Sequence, residues 1–346
     1  MPVNEPLEFF IQLHLTERCN LKCKHCYQTE DRPAEMSSYE IAALINEVSD
    51  MLADWRETYD MDLSSSFTVT GGEPFLRQDF FGILEELRNS GFNTYILSNG
   101  TLISRESAGR LAALGVKGVQ ISIEGPEDVH DNIRGRGSFS SSLKGIRNVL
   151  DAGIELTLNT TLSEVNAPYF MDVIDFARLT GAQRLGFSRL VPSGSGAKLM
   201  GRMLGREAVK DIYSKIFSME IQGLKLVTGD PVASQFRNPS AEDVANPVPS
   251  GGCAAGVSGL TVLPDGTITP CRRMPVPIGN VKTDSLREIW STSETLKALR
   301  DKSGYQGKCG RCSKWSACRG CRAIAFAYSQ SRGEGSYLAE DPQCFL

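Results

Sequence analysis

The chain has 346 residues, 41% of them hydrophobic and 23% charged, a balance that can bury a sizeable core and excludes intrinsic disorder. No apolar run approaches the roughly eighteen residues a membrane helix needs, and Met1-Pro-Val-Asn-Glu-Pro6 lacks the basic-then-apolar pattern of a secretory signal, so a cytoplasmic location is expected. The net charge of −4 hides an uneven distribution: residues 28–90 hold 14 Asp/Glu against 4 Lys/Arg, and residues 271–332 hold 13 Lys/Arg against 4 Asp/Glu. That basic excess can steer an anionic partner, form a solvated face or offset an anionic cofactor, but it lacks the interleaved aromatics of a nucleic-acid surface.

In chain order, apolar runs suited to buried parallel strands fall at 9–15, 67–70, 94–97, 119–123, 155–159 and 184–190. Helical periodicity falls between them, near 38–53, 79–90, 104–114, 138–151 and 167–180. The first helix opens on a capping box, Ser37-x-x-Glu40, and four helices stop at Gly91, Gly115, Gly153 and Gly181, which suit the left-handed residue past a helix end. Six alternating strand–helix units predict an α/β fold with a parallel sheet, open or barrel-like. No Gly-x-Gly-x-x-Gly follows the first strand; a cysteine loop stands there, which favours a partial (β/α)6 TIM-like barrel with its chemistry at the C-terminal strand ends. Residues 196–250 read as a bridging region with a helix near 206–219, a strand near 224–228 and a loop rich in Pro, Asn and Ser. From 251 onward short strands, turns and cysteines dominate, so the expected domains are 1–195, 196–250 and 251–346.

Ten cysteines in a chain expected in a reducing compartment point to metal rather than disulfides. They lie at the two ends of the sequence, with none between Cys26 and Cys253. Cys19-x3-Cys23-x2-Cys26 follows the first strand; three thiolates on one short loop suit an iron–sulfur cube with one iron unligated by protein, or zinc with His25 as fourth ligand. Toward the C-terminus stand Cys253 and Cys271, then Cys309-x2-Cys312-x5-Cys318-x2-Cys321, then Cys344, of which the central four alone would also make a zinc ribbon.

The run Thr16-Glu17-Arg18-Cys19-Asn20-Leu21-Lys22-Cys23-Lys24-His25-Cys26-Tyr27 resembles the cluster loop of radical S-adenosylmethionine (SAM) enzymes. Gly71-Gly72-Glu73-Pro74, Ser98-Asn99-Gly100-Thr101, Ser122-x-Glu124-Gly125-Pro126, His130-Asp131-x-x-Arg134-Gly135 and Asn159-Thr160-Thr161 extend the match in order. The C-terminal cysteines, with Pro264-Asp265-Gly266, Pro270-Cys271, Ile278-Gly279-Asn280-Val281 and Gly320-Cys321-Arg322-Ala323, resemble the SPASM extension of these enzymes. The resemblance implies three 4Fe-4S clusters, one binding SAM through Cys19, Cys23 and Cys26. For SAM it implies Gly71, Gly72 and Glu73 at the amino group, Arg134 and Ser122 at the carboxylate, Ser98 and Asn99 near the ribose, and His25 and Leu190 flanking the adenine. By the family's crossed pattern Cys309, Cys312, Cys318 and Cys344 hold an outer cluster, and Cys253, Cys271 and Cys321 an inner one. The inner cluster is then one ligand short, because residues 254–260, Gly259 among them, contain no cysteine. We expect an open iron site there.

Sulfatase-maturing members carry an Asp base directly after the cysteine matching Cys271; Arg272 stands there in this chain, which argues against that activity. The resemblance implies electron transfer into SAM from a low-potential donor such as flavodoxin or ferredoxin, then hydrogen abstraction from substrate by a 5′-deoxyadenosyl radical. The expected substrate is a ribosomally made peptide gaining a crosslink or thioether. Because the first strand starts near residue 9, recognition is expected from a separate leader-binding protein or the SPASM surface. The alternatives are side-chain modification of a tetrapyrrole, as in related enzymes of haem synthesis, and a non-catalytic iron–sulfur or zinc scaffold. Arg272, Arg273, Arg319 and Arg322 are expected either to offset the clusters' negative charge or to attract an acidic substrate.

Overall fold

A computed structural model describes residues 7–29, 33–60, 62–236 and 248–346. The strand–helix alternation runs β1 (Leu7–His14), α1 (Ser38–Tyr59), β2 (Leu63–Thr70), α2 (Phe80–Asn89), β3 (Asn93–Ser98), α3 (Arg105–Ala113) and β4 (Gly118–Ser122). It continues through α4 (Glu127–Arg134), α5 (Ser138–Asp151), β5 (Glu155–Leu162), α6 (Phe170–Thr180), β6 (Arg184–Arg189), α7 (Arg206–Ser218) and β7 (Lys225–Val227). These seven strands pair in sequence order and in parallel. β8 (Gly259–Val262) joins the other edge, parallel to β1 with Phe10 opposite Gly259, and β9 (Thr267–Thr269) and β10 (Gly279–Asn280) follow antiparallel. The result is a partial barrel whose sheet runs on into the cysteine-rich C-terminal part.

The six expected strands are all present, but their inner faces are not apolar. On β1, Phe9, Ile11 and Leu13 bury into one core with Ile41, Leu44, Ile45 and Val48 of α1, spaced as one helix face. The alternate positions turn polar groups inward: Gln12, Thr68, Gln120, Thr157 and Ser188 line a lumen inside the sheet. β5 accordingly alternates, its buried residues separated by half-buried ones after an exposed Glu155.

The capping box of α1 forms as expected, with Ser37 Oγ accepting from Glu40 N and Glu40 Oε2 accepting from Ser37 N at 2.7 Å. Gly91, Gly115, Gly153 and Gly181 all take positive φ past their helices. α1 runs six residues beyond its expected end, and the polar helix α4 was not anticipated. The C-terminal part adds α8 (Leu286–Thr292), α9 (Glu294–Arg300), α10 (Gly307–Arg311) and α11 (Arg322–Ser331) to its short strands. The expected Pro-, Asn- and Ser-rich loop falls largely on 237–247, outside the described residues. Among the described residues no helix is long and apolar enough to cross a membrane.

Candidate functional site

The chain leaves β1 at the C-terminal edge of the sheet and makes the cysteine loop before α1 begins. The loop is fastened by backbone bonds: Gly72 N donates to Thr16 O at 2.7 Å, Glu73 N to Arg18 O at 2.8 Å, Lys24 N to Ile133 O at 2.9 Å, and Gly196 N to Cys26 O at 2.8 Å. Gly71 and Gly72 are required by this approach. A Cβ on Gly71 would meet Thr16 O at 2.4 Å, one on Gly72 would meet Arg18 O at 2.2 Å, and Gly71 also takes φ +147°.

Cys19, Cys23 and Cys26 line one cavity at these strand ends. Their sulfurs face nitrogen donors: Cys19 Sγ is 3.4 Å from Leu21 N and 3.8 Å from Asn99 Nδ2, and Cys23 Sγ is 3.8 Å from Arg134 Nη1. Burial pushes all three thiols up, Cys26 to about 11, so a cationic centre is needed to hold them as thiolates. Three half-buried thiols on one cavity, with nitrogen donors against two of the sulfurs, fit an iron–sulfur cluster. His25, the fourth ligand of the zinc alternative, instead directs Nε2 to Glu124 Oε1 at 3.2 Å. Among the described residues no three ligating side chains converge as closely as a single bare metal ion would require.

Gly71, Gly72, Ser98 and Asn99 line the same cavity, as do His25, Ser122 and Arg134. Glu73 stands behind it with no exposed surface, accepting from Ser98 Oγ and from Asn99 N, both at 2.9 Å. Ser98 also accepts from Gly100 N at 2.9 Å, so Glu73 and Ser98 brace each other. Leu190 is buried in the core at 1% exposure, and its neighbour Val191 lines the cavity.

Glu124, a motif residue whose role the sequence alone does not disclose, is the centre of the site. Fully buried, its Oε1 accepts from Arg134 Nη2 at 2.5 Å and Nε at 2.9 Å, and its Oε2 accepts from Thr161 N at 2.9 Å. Arg134 and His25 hold its carboxyl far below the usual carboxylate range despite burial. Glu124 thus orients both Arg134 and His25 at the cavity. The signal for it was its place at the end of β4, where the ordered motifs cluster.

In the C-terminal part, Cys309, Cys312, Cys318 and Cys344 line a second cavity. Gln235 Nε2 lies 3.7 Å from Cys318 Sγ and 3.4 Å from Cys344 Sγ, and Arg322 Nη2 lies 3.7 Å from Cys309 Sγ. Of the other three, Cys271 and Cys321 both raise the pKa of Arg273, and burial pushes the Cys321 thiol up to about 12. All ten cysteines are free of disulfides.

The basic residues divide by burial and by the cavities they line. Arg319 and Arg322 are buried at 2% and 0% exposure and donate to backbone carbonyls, including Ser316 O and Ala339 O, each at 2.8 Å. Arg272 and Arg273 line both the cysteine-loop cavity and the polar lumen, and Arg272 sits 5.6 Å over the ring of Tyr27.

A three-cysteine loop at the mouth of a parallel half-barrel, joined to a seven-cysteine extension, is the build of an iron–sulfur enzyme. Residues 13–177 match the Radical SAM superfamily, and residues 253–322 match the SPASM iron–sulfur cluster-binding domain. The chain is 31% identical to the AdoMet-dependent heme synthase of Oleidesulfovibrio alaskensis over 96% of its own length and 86% of that protein. It is 28% identical to the mycofactocin maturase MftC of Mycolicibacterium smegmatis, over 90% of its length and 77% of the relative. Its fold matches Streptococcus suis SuiB bound to S-adenosylmethionine with a TM-score of 0.76 at 17% identity, covering 99% of this chain and 78% of that one. The chain belongs to the radical SAM superfamily and carries a SPASM domain. It is therefore an enzyme that binds SAM and 4Fe-4S clusters, and the scaffold reading is set aside.

Proposed function

We propose that this enzyme uses SAM to modify a carboxylate-bearing side chain of a tetrapyrrole. The observation that carries the reading is the pair Arg272–Arg273, which lines both the SAM-side cavity and the lumen beneath it. Two guanidiniums there suit the propionates of a porphyrin, because each can bind a carboxylate through a planar fork. The 31% identity to a heme synthase over nearly the whole chain favours this substrate class over the peptide expected first.

The bound cluster and SAM would together supply a 5′-deoxyadenosyl radical able to take a hydrogen atom from an unactivated carbon. Cys19, Cys23 and Cys26 would hold that cluster. Arg134, fixed by Glu124, would meet the methionine carboxylate beside Ser122, and the Gly71–Gly72 backbone would receive the amino group. Asn99, with Ser98 braced by Glu73, would face the ribose, while His25 and Val191 would bound the adenine. Cys309, Cys312, Cys318 and Cys344 would hold an outer cluster, and Cys253, Cys271 and Cys321 an inner one open at one iron. Three clusters correspond to about twelve irons per chain, countable after anaerobic reconstitution. A low-potential flavodoxin or ferredoxin would serve as electron donor.

The test of substrate class is binding. An iron porphyrin carrying propionates, titrated into the anaerobic protein, should shift its Soret band at micromolar concentration. Arg272→Ala and Arg273→Ala should each weaken that binding about tenfold, the loss of one charged contact. Absence of a Soret shift, or variants that bind as the wild type does, would refute the porphyrin reading. The 28% identity to a mycofactocin maturase, and a fold shared with SuiB bound to its precursor peptide, keep one second reading, a peptide substrate with a separate leader-binding partner. Displacement of the porphyrin by candidate precursor peptides would favour it.

A further inference from the structure

Arg189 ends β6 at the mouth of the SAM-side cavity, which it helps to line, yet it is 99% buried. A guanidinium has five N–H donors, and here five hydrogen bonds use them. Nε donates to Asp230 Oδ2 at 2.7 Å, and Nη2 to Asp230 Oδ1 at 2.9 Å and Asp341 Oδ2 at 2.7 Å. Nη1 donates to Asp341 Oδ1 and to Gln343 Oε1, both at 2.9 Å. Asp341 and Asp230 are buried with it, at 0% and 4% exposure of their side chains.

Asp341 carries this anchor into the cysteine sets. Its Oδ2 accepts from Cys321 N at 2.8 Å, and its backbone O accepts from Cys344 N at 3.1 Å. It also packs against the Arg319–Gly320 turn, both residues with positive φ, that separates Cys318 from Cys321. Cys321 belongs to the proposed inner set and Cys318 and Cys344 to the outer, so one residue, through its carboxylate and its backbone carbonyl, touches the supports of both.

We infer that Arg189, acting through Asp341, is a positioning residue that fixes both auxiliary clusters to the SAM-side cavity and sets their electrostatic surroundings. A surface ion pair would slide with side-chain motion; this one is over-determined by five bonds and excludes water, so the cluster supports inherit the rigidity of β6. One cation and two anions leave a net negative charge beside Cys321. Arg273 answers it, since Asp230 and Cys321 both act on its charge. Reduction adds negative charge to a cluster. Removing the cation of Arg189 should therefore make the auxiliary clusters harder to reduce, and removing the anion of Asp341 should make them easier.

The inference rests on Cys321 and Cys344 being cluster ligands, and the experiment separates the two claims. Wild-type protein is reconstituted anaerobically, its iron counted, and its clusters titrated with reductant under electron paramagnetic resonance. Wild type holding only the iron of the SAM-side cluster would refute the ligand assignment itself. With auxiliary clusters present, Arg189→Gln should lower their midpoint potentials and Asp341→Asn should raise them. A structural role alone would cost iron without opposite shifts. If Arg189→Gln does not fold, Asp341→Asn decides: an upward shift with iron retained supports the inference. Unmoved potentials with iron retained, shifts of the same sign in both variants, or loss of iron without a shift overturn it.

Discussion

At the residue scale, two buried carboxylates of the site stand in opposite electrostatic situations. Among the described residues no cation pairs with Glu73, and burial raises its pKa from 4.5 to about 7. An acid raised on folding holds its proton in the folded state while the unfolded chain has lost it. Glu73 therefore leaves stability intact below about pH 4.5 and erodes it as pH rises to about 7, by about 3 kcal/mol in total. Glu73→Gln keeps an acceptor for Ser98 and should remove that slope, read as the difference in urea unfolding between variant and wild type across the interval. An identical slope in both proteins would contradict the assignment.

Glu124 is the reverse case, held ionised by Arg134 and His25. Glu124→Gln strands the buried Arg134 cation and should cost about 3–5 kcal/mol in the same assay, with weakened SAM binding. Neither partnership was legible in the sequence. Glu73 and Glu124 sit in quoted motifs, but which side chain each meets depends on neighbouring strand ends brought together only by the sheet. Leu190 and Val191 lie just past the end of β6, where no strand period shows in the sequence which of them turns to the cavity; Leu190 is buried and Val191 lines it.

At the element scale, what the sequence encoded locally is what it disclosed. The capping box of α1 needs only Ser37 and Glu40, three residues apart, and it forms. Ser37→Ala should lower stability by about 1 kcal/mol, measured by denaturant unfolding, and no change would mean that the cap is not holding the helix. The strands were legible from their outer faces alone, since each supplies apolar residues to the core at alternate positions. The polar lumen was hidden because those inward residues are short and interspersed. α4 escaped because Glu127-Asp-Val-His-Asp-Asn-Ile-Arg134 is mostly polar and brief, placed by its cap at Pro126 and by packing on α5.

β8 gives the element-scale reason for a gap in the cysteine pattern. A Cβ at Gly259 would meet Phe10 O at 2.3 Å, so the close pairing of β8 with β1 leaves no room for a side chain there. Gly259→Ala should push β8 off β1 and open the junction between barrel and C-terminal part. Limited proteolysis should then cut near residues 249–258 while the barrel stays folded. Wild-type resistance would show that the junction tolerates the change.

At the scale of the whole molecule, the grouping of Cys19, Cys23 and Cys26 was legible because they recur at short spacings on one loop, and they line one cavity. The Arg189 anchor was not, because its partners lie 41, 152 and 154 residues away and nothing in their spacing joins them. The same distance hid the junction of cavity and lumen at Arg272 and Arg273, which only the folded chain brings over the barrel. Substrate class followed the same divide. The radical SAM chemistry was written in motifs, whereas the choice between peptide and tetrapyrrole depends on the shape and charge of a cavity built from distant segments.

The most direct measurement of that choice is a single anaerobic incubation of the reconstituted enzyme with SAM, dithionite and a propionate-bearing iron porphyrin, analysed by mass spectrometry. Porphyrin of altered mass should form in step with 5′-deoxyadenosine, and Arg272→Ala should reduce both together. Formation of 5′-deoxyadenosine with the porphyrin unchanged would contradict the tetrapyrrole assignment and leave the enzyme a radical SAM catalyst of another substrate.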